Sequence, residues 1–175
     1  MSSVSEIVGL EFEDPAGDRL RFEWLADELE SLEPDPRAEQ PVWRLGGELD
    51  WDEIEVFRVI SARLGDGRLL ALVGLRPPGA QGHDDELVVS ALGTTESFAQ
   101  MQETLLSTEY DGDGRPRRIG LELYPSEDSI PIRVAGEASD YGFFDTNGVR
   151  RTCAALRLRS AGASGVGALD VLRAT

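Results

Sequence analysis

The chain has 175 residues, 41% of them hydrophobic, and carries 33 acidic against 17 basic residues for a formal charge of −16. That length suits one domain spanning residues 1–175, able to bury about 70% of its unfolded surface without staples. The lone Cys153 excludes an internal disulfide framework and a multi-cysteine zinc site, and the acidic field argues against nucleic acid or an anionic membrane as partner.

Every basic residue apart from His83 is an arginine, and Asn147 is the only asparagine, a compositional bias that points to no site. There is no apolar run of about 18 residues and no basic-then-apolar start, so a cytoplasmic location is the expectation. Cys153 sits in an apolar run and reads as a buried, inert thiol.

In chain order, Val8, Leu10 and Phe12 alternate with polar neighbours and predict a strand. The turn at Asp14–Asp18 leads to a return strand through Leu20, Phe22 and Trp24. Leu25, Leu29 and Leu32 have helical spacing, so a short helix over Ala26–Leu32 is expected. Residues 33–41 hold three prolines and form a loop, followed by a short strand at Val42–Leu45.

The segment Ile54–Arg76 organises the chain. Two Val-, Ile- and Leu-rich arms flank Gly65-Asp66-Gly67-Arg68, the pattern of a β-hairpin. Ile54, Val56, Ile60, Ala62 and Leu64 share one face of the first arm, and Phe57 and Val59 lie on the other. The second arm divides into Leu69, Ala71, Val73 and Leu75 against Leu70 and Leu72. Strands apolar on both sides are covered above and below, so this hairpin is the expected middle of the fold.

Beyond a loop at residues 77–85, Glu86–Leu92 reads as a strand. Glu96–Leu105 admits a short helix, with strand favoured from about Thr104 onward. A second hairpin joins Leu105–Tyr110 to Arg118–Tyr124, and Ile130–Ala135 alternates behind Pro131, which suits a strand edge or a strand beginning. Asn147-Gly148 is the clearest turn signal, Arg150–Arg159 follows with Leu156 and Leu158 inward, and Val166–Leu172 closes the chain. About ten strands, few short helices and no βαβ rhythm predict an all-β, antiparallel barrel or closely packed β-sandwich.

Chemistry is sparser. His83-Asp84-Asp85-Glu86 holds metal-ligand types, yet His83 is the only histidine and no second ligand stands at a suitable spacing, so no metal is expected. Asp111-Gly112-Asp113-Gly114 resembles a calcium loop until the twelfth position, where Gly120 replaces the needed acid. No serine stands in a nucleophile elbow, and Gly162–Gly167 joins two strands where a phosphate loop would open a helix. Trp24, Trp43, Trp51 and Phe57 are either ordinary core or the lining of an apolar pocket in a closed sheet.

The run from Leu105 to Glu137, then Asn147 to Arg173, resembles the closing strands of the hydroxyneurosporene synthase/AttH-like proteins. Gly165-Val166-Gly167-Ala168-Leu169-Asp170 stands where that family carries Gly-x-Gly followed by an acid. The resemblance implies a lipocalin-like β-barrel, of which this chain has length for one where the family has two in tandem. The family's His- and Trp-rich segment is reduced here to residues 79–93, so no catalytic residue carries over.

The functional expectation is non-catalytic binding of a small apolar or amphipathic ligand, with Trp24, Trp43, Trp51, Phe57 and His83 as candidate contacts and no cofactor. One alternative is an interaction module, as a homodimer or as half of a two-domain assembly. The other is a hydratase or isomerase using His83 with Asp84 or Asp85.

Overall fold

The computed structural model describes residues 6–81 and 86–175. Alternating residues form β1 (Ile7–Glu13) and β2 (Arg19–Leu25), followed at once by a one-turn helix, α1 (Ala26–Glu30). A proline-containing loop leads to β3 (Trp43–Gly46) and then to the central hairpin, β4 (Val56–Arg63) and β5 (Leu69–Arg76). Next come β6 (Leu87–Gly93), β7 (Phe98–Gln100), β8 (Glu103–Tyr110) and β9 (Pro116–Tyr124). Three long strands finish the chain: β10 (Ile132–Thr146), β11 (Val149–Ser160) and β12 (Ala163–Ala174). Among the described residues no helix is long and apolar enough to cross a membrane.

The fold is all-β and entirely antiparallel. β1, β2 and β3 make a small sheet; the other strands form one curled sheet in the order β7-β6-β5-β4-β12-β11-β10-β9-β8. Its two ends meet. β7 pairs with β6 through Ala91↔Gln100 and Gly93↔Phe98, and two residues later the same chain pairs with β9 as β8. At the changeover the Met101 N–H donates to the Ser90 carbonyl and the Gln102 N–H to the Tyr124 carbonyl, so no backbone donor is lost. The hydroxyls of Ser90 and Thr104 meet at 2.6 Å across the same junction.

Two apolar layers result. Inside the curl, Val56, Ile60, Ala62, Leu70 and Leu72 pack against Leu106, Leu121, Leu156 and Leu169. Outside it, Phe57, Val59, Leu69, Val73 and Leu75 pack beneath Leu10, Phe22, Trp24 and Leu29 of the small sheet and α1. β4 and β5 therefore bury both faces, which is why their sequence is mostly apolar on both. Each such Leu or Phe contributes roughly 1.5–3 kcal/mol relative to its exposed state. Ile54 departs from the expected face: it precedes β4, is not bound by its alternation, and joins the outer layer.

Three further differences have local causes. The described residues form twelve strands where about ten were expected; β7 and β8 occupy the stretch that admitted a helix. β10 runs eleven residues past the expected end at Ala135, because a register shift between Ala138 and Asp140 breaks the alternation that would have revealed it. The last turn is only Ala161-Gly162, both with positive φ, and Ser160↔Ala163 already pair across it.

Candidate functional site

Strand alternation that sends Val56 and Ile60 into the barrel sends Arg58 there too. A guanidinium in such a place must be paired or it costs several kcal/mol. Its Nη1 donates to Thr108 Oγ1 on β8 at 2.6 Å and its Nη2 to Glu86 Oε1 at 2.8 Å. Glu86 Oε1 also accepts from Arg76 Nη1 at 2.8 Å, and Arg76 Nη2 donates to the Ala80 carbonyl. The side chains of Arg58 and Glu86 are 4% and 5% exposed.

Antiparallel pairing places all these residues at one end of the barrel. Arg58 lies near the start of β4, Arg76 at the end of β5, Glu86 just before β6, Thr108 and Tyr110 at the end of β8, and Arg173 at the end of β12. β6 and β7 stay paired only at the opposite end, so here β6 and β8 diverge. The gap holds a cleft of about 290 Å³ lined by Glu55, Val56, Arg58, Arg76, Glu86, Leu106, Ser107, Thr108, Tyr110 and Arg173. Two atoms of residues in this lining, Arg58 Nε and Glu86 Oε2, are buried and have no hydrogen-bond partner among the described residues. The Arg173 guanidinium lies over the Tyr110 ring at 5.2 Å.

A second buried carboxylate lies on the outer side of the sheet and is differently arranged. Asp170 Oδ1 accepts from Arg151 Nε and from the Cys153 thiol, both at 2.9 Å, and Oδ2 accepts from Trp43 Nε1 at 2.7 Å. Arg151 then donates to the carbonyls of Ala38 and Glu39, fastening the proline-containing loop onto the sheet. A Cβ at Gly142 would run into the Pro36 carbonyl, so that loop needs glycine beneath it. Burial, then the neighbouring Asp170 carboxylate, push the Cys153 thiol well above its ordinary pKa, leaving it protonated and unreactive.

The aromatic candidates gather in the outer layer. Phe57 lies 5.4 Å from Phe22, 5.9 Å from Trp43 and 6.1 Å from Trp51, ring centre to ring centre. Trp24 is 1% exposed and donates to Ser61 Oγ at 2.8 Å. Together these rings fill the space between the sheets; none lines the cleft at Arg58. Trp43 has a second neighbour environment, a surface depression shared with Phe143 and Phe144. His83, Asp84 and Asp85 lie outside the described residues, so only Glu86 of that cluster is placed.

Among the described residues no group of three or more His, Cys, Asp or Glu side chains is arranged to hold a metal ion. The carboxylate of Asp111 is occupied by the N–H groups of Asp113 and Arg115 and by the Arg115 guanidinium, as a hairpin tip requires. Gly165 and Gly167 let β12 approach β4: a Cβ on Gly167 would stand 3.2 Å from that of Ala62. Those glycines serve packing.

Arg58 and Arg76 were not singled out from the sequence. For Arg58 the signal was present: it is a charge whose neighbours two residues away, Val56 and Ile60, face the interior. Compared with known proteins, the chain matches no family model and no curated protein.

Proposed function

We propose that this chain is a non-catalytic binding protein for a small amphipathic ligand, held at the polar end of the barrel. The observation that carries the reading is the pair of nine-tenths-buried side chains lining a cleft, Arg58 and Glu86, each with one polar atom that has no partner among the described residues. Buried polar groups are almost always paired, and an unpaired one costs about 1–3 kcal/mol unless something outside the chain completes it. Val56 and Leu106 give the same cleft an apolar side. The barrel interior beyond it is filled by leucine, isoleucine and valine side chains, which favours the mouth over the centre as the ligand's place.

Native mass spectrometry of the purified chain, with organic extraction of any bound compound, tests this. A stoichiometric small molecule that disappears in Arg58→Met supports the reading; an apo mass that no amphipathic compound alters counts against it. Phe143, 52% exposed beside Phe144, favours a second reading, self-association through that face. Sedimentation of the chain and of Phe143→Ser checks it, and a strict monomer at micromolar concentration dismisses it.

A further inference from the structure

If the cleft at Arg58 is the binding site, its unmatched groups describe the ligand's head. Arg58 offers one buried N–H at Nε, and Glu86 offers one acceptor at Oε2. Arg173 lies at the exposed rim and has no carboxylate partner among the described residues; its guanidinium rests on Tyr110. Three guanidinium groups, of Arg58, Arg76 and Arg173, face two carboxylates, of Glu55 and Glu86. Among the described residues the lining thus carries one net positive charge, on a chain of charge −16.

Each group has a chemical complement. An unpaired guanidinium N–H beside excess positive charge takes a carboxylate oxygen, and an unpaired carboxylate oxygen takes an O–H or N–H. A plain fatty acid would leave Glu86 Oε2 unmatched, and an alcohol would leave the positive charge unmatched. A phosphate monoester brings nearly two negative charges to a site with an excess of one positive charge. The volume of about 290 Å³ is at the small end for ligand sites, so the apolar part is short.

We propose that the cleft binds a short-chain carboxylate bearing a hydrogen-bond donor next to the acid, a 2-hydroxy acid or a 2-amino acid. The carboxylate lies on Arg58 Nε and Arg173, the donor on Glu86 Oε2, and the chain against Val56 and Leu106.

Calorimetry on the full chain with hexanoate, 2-hydroxyhexanoate, 2-aminohexanoate and hexanol tests it. One of the 2-substituted acids is expected to bind at least about tenfold more tightly than hexanoate, and which one separates the two ligand sources. Hexanol is expected not to bind. Glu86→Gln, which turns the acceptor edge toward donation, should shrink the preference to less than about threefold. Arg58→Met should abolish binding, and Arg173→Gln, a change at the exposed rim, should weaken the acids even if Arg58→Met does not fold.

Equal binding of hexanoate and its 2-substituted forms, unaltered by Glu86→Gln, overturns the head-group assignment and leaves the binding site standing. So does a different compound held in an Arg58-dependent manner while these acids fail. No binding by any of them, with an apo mass throughout, overturns both.

Discussion

Asp170 and Glu86 are both almost wholly buried carboxylates, with an arginine nitrogen at 2.9 Å and 2.8 Å respectively, one outside the curled sheet and one within it. Asp170 has both oxygens engaged, by an indole, a thiol and a guanidinium, and that guanidinium goes on to hold two backbone carbonyls. Glu86 instead places two guanidinium groups on one oxygen and, among the described residues, leaves the other unmatched, as Arg58 leaves its Nε. The first arrangement is complete and joins distant segments, residue 43 to residue 170. The second is incomplete and opens on a cleft. Burial and charge do not separate these two carboxylates; the hydrogen bonds left unmade at Glu86 and the cleft beside it do.

The largest expected effect is at the fastener. Asp170→Ala strands Arg151 and the Trp43 indole and should cost about 3–5 kcal/mol in urea denaturation. A loss below about 1 kcal/mol would mean that the network is ornamental. Arg58→Met should stay within about 1 kcal/mol of the parent, because Glu86 keeps Arg76 and a methionine suits the Val56–Leu106 surroundings. A loss near that of Asp170→Ala would make the two pairs alike and end the contrast. Stability withheld at a binding site is a common trade.

Thiol labelling reads the same contrast more gently. Cys153, buried and beside Asp170, should resist iodoacetamide at neutral pH in the native chain and react once Asp170→Ala opens the layer. Ready labelling of the parent would contradict the raised pKa.

The smallest effect belongs to an exposed Asp–Arg pair. The Arg115 backbone N–H, aided by that of Asp113 and by the Arg115 side chain, holds the Asp111 carboxyl below its ordinary 3.8. A value lower in the folded than in the unfolded chain stabilises above about pH 4 and is lost as pH falls through the folded value. Asp111→Asn should therefore lower the melting temperature slightly at neutral pH, with the difference from the parent vanishing toward about pH 2. A difference that grew in acid would reverse the sign.

Much of this architecture was legible in the chain. The hairpin with two apolar faces stands in the middle, as its high Val, Ile and Leu content on both faces requires, and Asn147-Gly148 turns between Thr146 and Val149. The β7–β8 segment was hard to read because it changes partners halfway, so neither half shows a full alternation. The site was obscured for another reason. Arg58, Arg76, Thr108 and Arg173 come from four separate strands and Glu86 from the segment before β6, and nothing local distinguishes an inward arginine until its neighbours' faces are assigned.

The pairing of β4 with β12 sets a timetable. Phe57↔Leu172 and Arg63↔Val166 join residues roughly a hundred positions apart, so the edge of the most apolar hairpin is complete only when the last strand arrives. Loop-closure entropy makes such contacts late, and until then β4 presents a row of unpaired N–H and C=O groups to any other strand. The step most exposed to aggregation during refolding is the wait of β4 for β12, and the −16 charge, by keeping unfinished chains apart, guards it.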